Sequence, residues 1–110
     1  MADLLTKRRA SRETVVEAGG HKFTLRRPTA YERVSIGDTA SFDLLCKFVV
    51  GWDLAVIDLV PGGDPAPAPF DAALLADYLA DTPKLWEPLT GALLKSITDH
   101  DATLEATAKN

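Results

Sequence analysis

Four prolines and two glycines fall within nine residues, Pro61-Gly62-Gly63-Asp64-Pro65-Ala66-Pro67-Ala68-Pro69. No helix or interior strand runs through such a window, because proline has no backbone donor and glycine no Cβ to restrain it. The window reads as a Pro/Gly-rich loop over 61–69, a mobile linker joining two halves of one core. The length, 110 residues with 46% hydrophobic and 25% charged, suits a single small domain. No apolar run reaches the roughly 18 residues of a membrane span. In Met1-Ala2-Asp3-Leu4-Leu5-Thr6-Lys7-Arg8-Arg9 the positive charge follows the apolar stretch, the reverse of a secretory signal, so the expected location is the cytoplasm. Cys46 is the single cysteine, and with His21 and His100 it offers too few ligands, too scattered, for a familiar zinc site. No cofactor or metal is expected.

The net charge of −4 hides an asymmetry. Residues 1–33 carry eight Lys or Arg against four acids, and the remainder carries four Lys against twelve acids. A +4 head therefore adjoins a −8 body. A basic head suits nucleic acid, since each neutralised phosphate releases counterions, but the acidic body would repel the same polyanion. Head-to-tail self-association, the head of one copy on the body of the next, is a further reading. So is a plain solvated surface.

Residues 1–12 lack a sustained period and read as a flexible basic tail. Two β-favouring stretches, 14–18 and 21–27, flank Gly19-Gly20, which is a hairpin signal. Phe23 and Leu25 share the face to be buried. Pro28 ends the strand, and Thr29-Ala30-Tyr31-Glu32 has the form of a capping box opening a short helix to about Ile36, closed by Gly37. Caps within 38–41 introduce a second helix carrying Phe42, Leu45, Cys46 and Val49. The run 52–60 reads as extended. Asp71 caps a helix over 72–80, while Thr82 and Pro83 restart helical geometry that Pro88 should bend or delay. Trp86, Leu89, Leu93 and Ile97 form one face of a last helix to about His100, and 101–110 reads as a fraying tail. The fold class is mainly α (α+β): an N-terminal β-hairpin packed on a small bundle of about four helices, in one domain over 13–100.

No catalytic constellation emerges. Gly19-Gly20 and Gly62-Gly63 lack the spacing and the following Lys of a phosphate cradle. Asp99 and Asp101 read as a solvated pair, His21 as a turn residue, His100 as a helix-end residue, Cys46 as core, and Ser35 and Ser41 as cap or surface. The chain is expected not to be an enzyme.

Phe23-Thr24-Leu25-Arg26-Arg27-Pro28-Thr29-Ala30-Tyr31-Glu32-Arg33, then Val50-Gly51-Trp52-Asp53-Leu54 with the Pro/Gly gap and Pro69-Phe70, and finally Leu85-Trp86 and Leu93-Leu94-Lys95-Ser96-Ile97 together resemble the tail assembly chaperones of long-tailed bacteriophages and prophages. The likeness covers residues 14–100 and rests on packing and turn signatures. It implies a small, mainly helical, cytoplasmic protein that escorts the tape measure protein, recruits tail tube subunits and leaves before the virion is finished. It also implies a short product paired with a longer frameshifted one; Ala108-Lys109-Asn110 can be encoded with a slippery A AAA AAC.

Such work needs contact area. Trp52, Phe70, Tyr78 and Trp86 are the aromatic candidates, each with core filling as its plain alternative. Arg8, Arg9, Arg12, Arg26 and Arg27 are the charged candidates, expected to meet acids such as Asp77, Asp81 and Glu87 on a neighbouring copy or on a client. Two other functions stay open: a small nucleic-acid-binding regulator using the basic head, and a generic protein-interaction adaptor.

Overall fold

The computed structural model describes residues 3–37 and 39–108. In chain order these form α1 (Leu4–Ser11), β1 (Glu13–Ala18), β2 (His21–Arg26), α2 (Ala30–Arg33), α3 (Ser41–Phe48), β3 (Val49–Trp52), α4 (Val56–Leu59), α5 (Ala72–Ala80), a 3-10 turn (Pro83–Leu85) and α6 (Trp86–Ala108). The class is α+β, with a three-stranded antiparallel sheet ordered β1-β2-β3.

The hairpin forms where its chemistry demands. Gly19 and Gly20 have φ of 60° and 82°, a region closed to most side chains, so Ala18 pairs with His21 across a two-residue turn. Phe23 and Leu25 are then 0% and 1% exposed. They lie in one cluster with Leu45 and Phe48 of α3, Leu75 and Leu79 of α5, and Leu89 and Leu93 of α6.

A third strand, Val49–Trp52, stands where the sequence predicts the end of a helix and, at Trp52, the start of an extended run. Val49 pairs with Leu25 and Trp52 with Phe23, with a bulge between Thr24 and Leu25. The β-branched pair Val49-Val50 suits a pleat better than a helix, so α3 stops at Phe48 and Val49 is not on its apolar stripe. The extended run expected over 52–60 is found at Trp52 and at Ala55, which bridges Pro67, and is corrected beyond: Val56–Leu59 is one helical turn, started by the Asp58 carboxylate accepting the Ala55 N–H at 2.8 Å. Every apolar run here is too short for periodicity to separate strand from helix.

The Pro/Gly-rich loop is tied down and not a free linker. Val56 N–H donates to Ala66 O, Ile57 N–H to Asp64 O and Ala68 N–H to Leu54 O, all within 2.8–2.9 Å. The Trp52 indole donates to Ala68 O at 2.8 Å, and Ala68 is 8% exposed. Prolines lack donors, but the alanines and the aspartate between them keep donors and acceptors enough to pair with 54–57.

Both ends are helical where flexible tails are expected. Asp3 accepts the Thr6 N–H at 2.7 Å and starts α1, whose residues are all solvent-facing. The helix α6 continues past His100 to Ala108, held by Arg33 on Asp101 and by Lys95 on Asp99. Local capping carries α1, and ion pairs to Asp99 and Asp101 support the end of α6 beyond its apolar stripe. Pro88 does not bend α6, since it lies in the first turn, where N–H groups lack helical partners anyway. The capping box forms as read: Glu32 N–H donates to Thr29 Oγ1, and Thr29 N–H to Glu32 Oε1. Its helix ends at Arg33 and turns, not helix, continue to Gly37. Asp71 caps α5 as read. Thr82 does not cap; its hydroxyl donates to Tyr78 O. Ala40 precedes α3 with no side-chain cap. Asp38, one cap candidate, and Lys109-Asn110, two of the three residues of the frameshift reading, lie outside the described residues.

Candidate functional site

The charged candidates divide. Arg26 is committed inside the chain: its guanidinium donates to both Glu32 oxygens, at 2.7 and 3.2 Å, and lies 4.7 Å from the Phe48 ring centroid. Within the chain its acid is Glu32, six residues away, while the acids expected for it were those of another molecule. With the Thr29 N–H and hydroxyl also donating, the Arg26 hydrogen bonds hold the Glu32 carboxyl at about 2, well below its ordinary 4.5.

Arg8, Arg12 and Arg27 converge instead. They line a cavity of about 390 Å³ with Ser11, Thr29, His100 and Leu104, between the end of α1, the segment from β2 into α2, and α6. A second depression of the same volume continues it along α6 and shares Ser11, Arg12, Arg27 and His100. Arg27 is half-buried, and burial, with Arg12 beside it, lowers its pKa while Asp101 acts the other way. Among the described residues no ion pair uses Arg8, Arg9, Arg12 or Arg27. Arg9 does not line either depression.

The aromatic candidates do not form one surface. Trp52 meets Phe70 edge-on at 5.0 Å, over the loop it hydrogen-bonds. Trp86 lies 5.5 Å from Phe42 and donates its indole N–H to Leu79 O at 2.7 Å, stapling α6 to α5. Tyr78 is half-buried, and that burial raises its phenol pKa. All four pack against the buried cluster. Trp86 also shows an edge to a shallow depression with Pro83, Thr90 and Leu94, where the Thr90 hydroxyl is buried and unpartnered.

The sequence reading missed three exposed apolar side chains on α2, the turn after it and α6. Tyr31 and Val34, on and just after α2, are 87% and 84% exposed, and Leu94 of α6 is 47% exposed. Between the turn after α2 and α6 runs a groove of about 320 Å³ lined by Ile36, Leu94 and Ile97. It adjoins the Trp86 depression through Leu94. A signal existed: Leu94 falls outside the Trp86, Leu89, Leu93 stripe, so α6 is apolar on a second side. His100 was also missed as a lining residue of the basic trough.

His21 lies between two carboxylates, Nδ1 to Asp53 and Nε2 to Asp58, each at 3.7 Å. This ties the hairpin turn to the segment after β3, since Asp53 also accepts the Lys22 N–H. Burial and the nearby Asp43 raise the Cys46 thiol pKa, which disfavours the reactive thiolate. Among the described residues no group of three or more His, Cys, Asp or Glu is placed to hold a metal ion. The chain matches no family model, no curated protein and no solved structure in the comparisons made.

Proposed function

We propose that this chain is a non-enzymatic tail assembly chaperone of a long-tailed bacteriophage or prophage. It acts in the host cytoplasm, holding the tape measure protein, recruiting tail tube subunits and leaving before the virion is complete. The observation that supports this best is the apolar groove lined by Ile36, Leu94 and Ile97, with Leu94 47% exposed in its wall and the exposed Tyr31 and Val34 on the neighbouring turn, because exposed apolar side chains of this kind mark protein contact. The resemblance in residues 14–100 supplies the client class. The sheet and the α3, α5 and α6 layer behind it serve as the frame, a hairpin laid on a small helical bundle. No helix among the described residues is long and apolar enough to cross a membrane, which is compatible with that location.

Co-expression tests the reading. A tape measure protein that aggregates alone should become soluble with this chain, and less so with Val34→Asp or Leu94→Asp. Equal solubility with and without the chain would dismiss the role.

A further inference from the structure

The basic trough goes beyond that reading and does not depend on it. Three guanidinium groups, Arg8 from α1, Arg12 from its C-cap and Arg27 from the end of β2, line one concavity opposite His100 of α6. Like charges gathered at a half-buried place repel one another unless an anion lies among them. The nearby acids of α6 are already engaged: Asp101 gives both oxygens to Arg33 at 3.0 Å, and Asp99 accepts from Lys95 at 2.7 Å. Arg26, next to Arg27 in sequence, is neutralised by Glu32. The fold thus pairs Arg26, Arg33 and Lys95 with carboxylates, while among the described residues Arg8, Arg12 and Arg27 have no ion-pair partner and Arg27 donates only to the Pro28 carbonyl at 3.4 Å.

We infer that the trough between α1 and α6 binds carboxylate side chains of an acidic peptide segment on a partner protein, through Arg8, Arg12 and Arg27. Guanidinium forks suit carboxylates because two parallel N–H groups match two oxygens. The choice of an acidic peptide over nucleic acid comes from the rim. Asp99 lines the trough on α6, Asp101 on the same helix acts on Arg27, and the body of the chain is acidic, so an extended phosphate backbone would be repelled along its length. A short segment that inserts one or two carboxylates avoids that repulsion. Each depression holds about 390 Å³, room for a few side chains.

The test titrates the whole chain with a capped hexapeptide that carries two adjacent glutamates among alanines and glycines, following arginine Nε–H resonances by NMR. Saturable shifts at Arg8, Arg12 and Arg27 are expected, with affinity falling about tenfold between roughly 25 and 250 mM salt. The paired change Arg12→Gln with Arg27→Gln should weaken binding by about tenfold or more, and Arg8→Gln on the exposed helix should weaken it if the pair fails to fold. Arg9→Gln should change it by less than about twofold, and the same hexapeptide with both glutamates replaced by glutamine should not bind. The inference is overturned if wild type gives no saturable shift, if the arginine changes leave affinity intact, or if duplex DNA binds the same arginines more tightly than the peptide. None of these readouts involves a tail protein, so failure here is separable from failure of the assembly role.

Discussion

Arg33 grips Asp101 through both guanidinium nitrogens, 3.0 Å each, joining the end of α2 to α6 across a separation of 68 residues. Arg33 also lines the apolar groove and Asp101 acts on Arg27 of the basic trough, so the pair lies between the two, and it orders a helical stretch with little apolar content. Both side chains are substantially exposed, so the pair adds at most about 1 kcal/mol. Arg33→Ala should lower global stability by less than that, while amide exchange over 101–108 speeds up more than exchange at Leu89 or Leu93. Uniform acceleration across α6 would show that the pair does not act locally.

Glu32 sets an acid limit. Its carboxyl falls to about 2 from an ordinary 4.5, first through Arg26, so the fold favours the charged form. That stability is fully present above about pH 4.5, declines as pH falls and is gone below about 2. After solvent screening the contribution is about 1–2 kcal/mol. Urea melts of Glu32→Gln at pH 7 should show a loss of that size, and the gap to wild type should close towards pH 2.

Gly19 and Gly20 separate conformation from contact. Both have positive φ, but a Cβ on Gly19 would meet Leu85 Cδ2 at 2.7 Å, whereas one on Gly20 meets nothing within 4 Å. Gly20→Ala should cost about 1 kcal/mol and Gly19→Ala about 1–2 kcal/mol more, measured by denaturant unfolding. Equal losses would mean the turn does not press on Leu85.

Trp52 holds the Pro/Gly-rich loop. Trp52→Ala removes the bond to Ala68 O and the edge contact with Phe70, at a cost of about 3 kcal/mol. Limited proteolysis should then cut within 61–69 at conditions where wild type is intact. Trp52→Phe should keep most of the packing and still loosen the loop.

These elements also show how far the sequence could be read. The hairpin, the capping box and the Asp71 cap are local devices, in which residues two or three positions apart satisfy one another, and each was legible. The third strand was not, because pairing of Val49 with Leu25 depends on a contact 24 residues distant in sequence. The anchored loop was missed for the same reason: its partners, Leu54, Val56 and Ile57, lie across a turn. Among the candidate contact residues, aromatic size pointed to Trp52 and Trp86, but their indole N–H groups serve the fold. Tyr31 and Val34 lie at or just beyond a helix of four residues, too short for periodicity to mark a face.

Sedimentation velocity of this chain mixed with a tape measure protein tests the assembly role most directly. The account predicts that the chain moves with the tape measure protein in multiple copies and that Val34→Asp with Leu94→Asp releases it. Independent sedimentation of the two wild-type proteins, each at its own rate at every ratio, would contradict it.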